Sequence, residues 1–147
     1  MSIPLGVGLF LFALAGSAFL VPQLRVLHVL QALIYVAILV LAGRNSPWGF
    51  GIGVMVPTAW NCLNLFVTHL FQKGAVQFWS LAHTGHVGQR GPMLVLVGGV
   101  AHLLLIIACL TAFLQQGPGE RQWGKFLGGG FLALGYLVLI IAIARPR

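Results

Sequence analysis

Residues 92–114 read PMLVLVGGVAHLLLIIACLTAFL, without a single Lys, Arg, Asp or Glu. About 20 predominantly apolar residues cross the ~30 Å hydrocarbon core of a bilayer as an α-helix. This run is long enough, and its one ionisable group of note is His102, near its middle. Four more stretches have the same character, at about 4–21, 24–42, 50–71 and 126–144. Inside lipid each backbone N–H and C=O must be satisfied within the protein, and an isolated apolar segment does so as a helix. The expected fold is therefore all-α, a polytopic transmembrane bundle occupying residues 1–147 as one membrane domain.

Composition agrees. Of 147 residues, 59% are hydrophobic and 6% charged, against roughly 25% charged in a soluble domain. Eight Lys+Arg face one acid, Glu120, and the basic residues stand singly at segment ends. No basic patch forms, so the charge reads as membrane anchoring and orientation, not as a nucleic-acid surface. The N-terminal MSIPLGVGLFLFALAGSAFLVPQ lacks the positive n-region of a secretory signal and reads as a retained first span.

Reading residues 4–42 as one helix would leave four spans. That helix would run to about 58 Å, twice the hydrocarbon core. Pro22 disfavours helix at Val21, and Arg25 needs an interface, so a tight hairpin and five spans are expected. Five spans collect Arg25, Lys73, Arg90, Arg145 and Arg147 at one end, here the basic end. Arg44, Arg121 and Lys125 lie at the other. The positive-inside rule then places the N-terminus outside and the C-terminus in the cytoplasm. The loop Gln72–Gly91 carries Phe78, Trp79, His83 and His86, and a short interfacial helix is expected there.

Polar residues within the spans are the candidates for chemistry, because each unpaired polar group is costly in hydrocarbon. His28, Gln31 and Tyr35 form one stripe on the second span. Thr58, Asn61, Asn64, Thr68 and His69 share an arc of the third. Counting about 1.5 Å per residue from the basic end, His28 and His69 lie near the edge of the core. Gln31 and Asn64 lie about 10 Å in, and Tyr35, Asn61 and His102 about 15 Å in, at the midplane. The second, third and fourth spans should thus meet in a polar centre. A neutral His102 there has one donor and one acceptor to satisfy, with Asn61 and Tyr35 at the right depth. Cys62 and Cys109 differ in depth by about 10 Å, too far for a disulfide, and are expected to be free thiols.

Three functions are compatible with this pattern. The leading one is a non-enzymatic accessory or anchor subunit, packed against other membrane protein subunits through Gly-rich helices. Gly128 and Gly135 are then expected to face protein. The second is binding of haem b, a chlorin or a quinone. His28 and His69, from two helices at similar depth, suit the axial positions of a haem, and His102 suits a chlorin magnesium or a quinone carbonyl. Gln31, Tyr35, Asn61 and Asn64 would complete that pocket. The third is a facilitator for a small neutral or hydrophobic solute along the Asn-lined seam. His83 and His86 have the HxxH spacing that could hold copper or zinc on one helical turn, although no carboxylate lies near. With no Asp and one loop Glu, neither paired-carboxylate catalysis nor a Ser-His-Asp triad can be built from this chain.

Overall fold

The computed structural model describes residues 2–143, and five of its helices are long and apolar enough to cross a membrane. Helix α1 (Ile3–Leu20) stops where Pro22 begins a single 3-10 turn, Pro22–Leu24, and α2 (Arg25–Gly43) starts at once. The turn is closed by Val21 N–H donating to Ser17 O at 2.9 Å and by the Arg25 Nε donating to Ala18 O at 3.2 Å. Arg25 thus satisfies a carbonyl left open at the end of α1. The hairpin makes 4–42 two spans.

A second tight turn, with Asn45 in the left-handed region (φ 56°), leads into α3 (Pro47–Cys62). Pro47 occupies the first turn of α3, where its missing N–H costs nothing, so the helix begins three residues before the expected 50. Its far end departs further from expectation. After Cys62 the helix widens into a π-helical turn, Leu63–Val67, and the chain breaks at His69, whose φ is +55°. Leu70 and Phe71, expected to close the third span, instead open α4 (Leu70–Thr84). The carbonyls loosened by this irregular end are met by nearby side chains. Asn64 Nδ2 donates to Trp60 O at 2.9 Å, and Gln72 Nε2 donates to Leu65 O at 2.9 Å. Non-helical backbone at membrane depth requires such partners.

Helix α4 fills most of the segment in which a short helix was expected. Its Gly74 is buried against Pro92 and Leu96 of α5 (Arg90–Gln115), while Phe78 and Trp79 lie exposed. Gln77 Oε1 accepts from the N–H groups of Gly88 and Gln89, at 2.9 and 3.0 Å, and fastens the loop that returns to α5. Helix α6 (Trp123–Ile143) ends the described chain, so Arg145 and Arg147 lie outside the described residues.

The glycines act inside the bundle. Gly51 of α3 lies against the backbone of Phe126, Gly129 of α6 against the backbone of Trp48, and Gly130 against Met55. Small residues let helices approach until backbones touch, and α3 and α6 use them on each other. Gly128 faces the Trp48 ring as expected. Gly135 meets nothing of its own chain: no atom lies within 4 Å of the position its Cβ would take. It opens onto a groove between α2 and α6.

Helix directions put Arg25 and Arg90 at one end and Arg44, Arg121 and Lys125 at the other. At the latter end Gln116 Nε2 donates to Asn45 O at 2.7 Å, joining the two short loops. Gln89→Cys and Gly119→Cys, each in a chain with Cys62 and Cys109 replaced by Ala, are therefore expected to label from opposite faces with an impermeant thiol reagent. In the orientation expected from the Lys/Arg bias, the Gln89 site is the one labelled from the cytoplasmic face. Labelling of both from one face would contradict five spans, and a reversed pattern would contradict only the orientation.

Candidate functional site

The expected midplane layer assembles. Tyr35 from α2, Asn61 from α3 and His102 from α5 converge at the centre of the bundle. Tyr35 Oη lies 2.6 Å from His102 Nε2, and Asn61 Oδ1 lies 3.3 Å from His102 Nδ1. With the carbonyl oxygen of Asn61 accepting, Nδ1 carries the imidazole proton and donates it. Nε2 then accepts from the Tyr35 hydroxyl. His102 is 0% and Tyr35 2% exposed, so the pairing excludes water.

Two residues that the sequence reading did not single out complete this layer. Phe10 from α1 stacks on the imidazole with ring centroids 4.0 Å apart. Trp60 meets it edge-on at 4.6 Å, with planes at 86°. Trp60 precedes Asn61 in the least oily span, which was a usable signal. Phe10 is one of ten phenylalanines in an almost uniformly apolar helix, and nothing in its local sequence marks it.

The layer has a direct chemical consequence for His102. Both ring nitrogens are engaged, so neither lone pair nor N–H is left for a chlorin magnesium or a quinone carbonyl. Such a ligand would have to displace Tyr35 or Asn61. The geometry is that of a hydrogen-bonded link between three helices, backed by aromatic stacking.

Towards the basic end, the layer forms the floor of a cavity of about 440 Å³. All six helices contribute to its wall, α4 through Leu70 alone, and Phe10 and Trp60 close its inner end. Its polar wall groups are Ser17, His28, Gln31 and Asn64. Asn64 is already occupied, donating to Trp60 O and accepting from Thr68 Oγ1 at 3.2 Å. His28 is 9% exposed, and its buried Nδ1 has no hydrogen-bond partner. Gln31, one turn deeper and 7% exposed, offers its amide to the same space. No Lys, Arg, Asp or Glu contributes to the wall.

The remaining candidates fall elsewhere. His69 is exposed at the break between α3 and α4 and takes no part in the cavity wall, so His28 and His69 do not frame this cavity as a pair. Its left-handed φ is a conformation in which histidine is enriched among non-glycine residues. His83 and His86 straddle the end of α4 and do not share one helical turn: the helix stops at Thr84, and Gly85 takes φ +69°. His83 Nδ1 pairs with Trp79 O at 3.0 Å and His86 Nδ1 with Thr84 O at 2.8 Å. Among the described residues no group of three or more His, Cys, Asp or Glu could hold a metal ion. Cys62 and Cys109 are free.

Comparison of the chain with known protein families, with characterised proteins and with solved structures finds no match in any of the three. The functional reading therefore rests on the cavity and its wall.

Proposed function

We propose that the protein is a membrane-embedded binding protein for a small lipid-soluble molecule held in the cavity at the basic end of the bundle. The cavity itself carries this reading. Its volume, about 440 Å³, falls in the range of small-molecule sites, roughly 300–1,000 Å³, and its wall is apolar with a few convergent polar groups. The aromatic and hydrogen-bonded floor favours holding a molecule over passing it through, because Phe10, Trp60 and His102 fill the way onward. A quinone is compatible with this site. A haem held by two histidines finds only His28 in the wall.

The test is a filled cavity. Ala59 lines the space and is only half-buried, so Ala59→Phe adds bulk there without crowding the floor. Native mass spectrometry of the protein released from its own membrane is expected to show a small-molecule adduct on the wild type and none on Ala59→Phe. Adduct-free wild type, or equal loading of both proteins, would count against the reading.

The accessory-subunit reading keeps one specific support, the open groove at Gly135. Leu33, Ala37, Phe131, Leu132 and Leu139 surround it, with a volume of about 770 Å³. A partner helix seated there would be lost from the purified assembly on Gly135→Leu, while the monomer stays folded.

A further inference from the structure

The wall of the cavity is chemically uneven, and that unevenness selects a ligand. Two side chains on one face of α2, His28 and Gln31, sit one turn apart and border otherwise apolar space. The Nδ1 of His28 is buried and without a partner, in a residue that is nine-tenths buried. A buried polar atom left unpaired is costly, and native structures leave few of them without a reason. His28 also borders the cavity, so a small rotation of its ring would let a molecule held there supply the partner.

Charge narrows the class. No Lys, Arg, Asp or Glu lines the space, its one ionisable wall group of note is the imidazole of His28, and Arg25 is exposed and already donates to Ala18 O. Glu120, the one acid of the chain, lies in the loop at the opposite end. An ionic head taken from water into this cavity would find no countercharge, and an unpaired buried ion is far more costly than a neutral polar group. Depth gives the orientation. His28 is nearest the basic end, Gln31 is one turn further in, and Phe10 and Trp60 form the apolar floor beyond.

Resting on the binding reading above, we infer that the ligand is a neutral lipophile whose hydroxyl or carbonyl head hydrogen-bonds His28 and Gln31 and whose apolar body points at Phe10 and Trp60. Gln31 supplies both a donor and an acceptor, so an alcohol, a phenol or a ketone is served equally. The neighbouring polar groups do not compete for the head: Asn64 is committed to Trp60 and Thr68, and His102 to Tyr35 and Asn61.

A matched series tests this on the full chain in lipid nanodiscs. The probes are 10-bromodecan-1-ol, 10-bromodecanoate, (10-bromodecyl)trimethylammonium and, without a head, 1-bromodecane. Bromine quenches tryptophan at short range, and the part of the quenching that Trp60→Phe lacks reports occupancy of the cavity floor. At equal membrane concentrations the alcohol is expected to bind about 10-fold or more tightly than either ion. His28→Phe and Gln31→Leu should each weaken the alcohol by about 3- to 10-fold. Both variants should bind 1-bromodecane as the wild type does, which shows them folded with the cavity intact. A carboxylate or ammonium probe that equals or exceeds the alcohol overturns the neutral-head inference. So do variants that hold the alcohol as tightly as the wild type. If none of the four probes gives Trp60-dependent quenching, it is the binding reading itself that fails.

Discussion

Gly51→Ala is expected to destabilise the bundle by about 3 kcal/mol or more, at or beyond the upper end of what overpacking a core costs. A Cβ at residue 51 would run into the carbonyl of Phe126, with the Cα of the same residue just behind it. Backbone cannot rotate aside as a side chain can, so α3 and α6 would have to part along the contact that Gly129 and Gly130 also form. Helix propensity alone predicts the opposite sign, since Ala is better than Gly in a helix interior by about 1 kcal/mol. Gly135→Ala is the matched control, because its added methyl meets nothing within 4 Å. Denaturation in detergent micelles should show Gly51→Ala strongly destabilised and Gly135→Ala unchanged or slightly stabilised. Equal behaviour of the two would mean that α3 and α6 do not pack backbone to backbone at this point.

His102→Leu is the second large effect expected, a loss of about 2–3 kcal/mol. Interhelical hydrogen bonds in membranes average only about 0.6 kcal/mol each, so two lost bonds alone give a modest figure. The larger part comes from the partners left behind. The Tyr35 hydroxyl and the Asn61 amide would remain in a region closed to water, and stranded buried groups cost about 1–3 kcal/mol each, offset where they find other partners. Loss of the stacked contact with Phe10 adds to this. Adding Tyr35→Phe to His102→Leu should therefore cost less than Tyr35→Phe costs alone, with a coupling of about 1 kcal/mol in a double-mutant cycle. Additive costs would deny the bond. Because both imidazole nitrogens serve the helices, His102→Leu should still bind 1-bromodecane. Abolished binding in a protein that remains folded would instead make His102 part of the ligand site.

The contrast between these two residues shows what the sequence could and could not reveal. His102 was legible because a polar group in a long apolar run must be satisfied internally. Counting residues from the ends of α2, α3 and α5 brought Tyr35 and Asn61 to its depth. The Pro22 hairpin was legible for a similar reason, since lipid has a fixed thickness and residues 4–42 exceed it. Gly51 and Gly135 look alike in sequence, and only the packing of α6 separates the buried glycine from the open one. The break at His69 was hidden because no Gly or Pro announces it. The side chains that make it tolerable, Asn64, Thr68 and Gln72, read just as well as a polar helix face. Phe10 was hidden most thoroughly, because its role depends on α1 crossing α5. That crossing is long-range: Gly6 sits against Leu105 and Gly16 against Leu94, some eighty to a hundred residues away along the chain.

Crystals pressurised with xenon test directly whether the bundle holds an accessible apolar cavity beside the His102 layer. Xenon enters apolar cavities that stay dry and is seen by its anomalous scattering. The expected result is a strong peak between Phe10, Trp60 and Gly98 in the wild type, and its absence in Ala59→Phe crystals treated in the same way. Peaks confined to outer grooves such as the one beside Gly135, with none inside the bundle, would contradict the account.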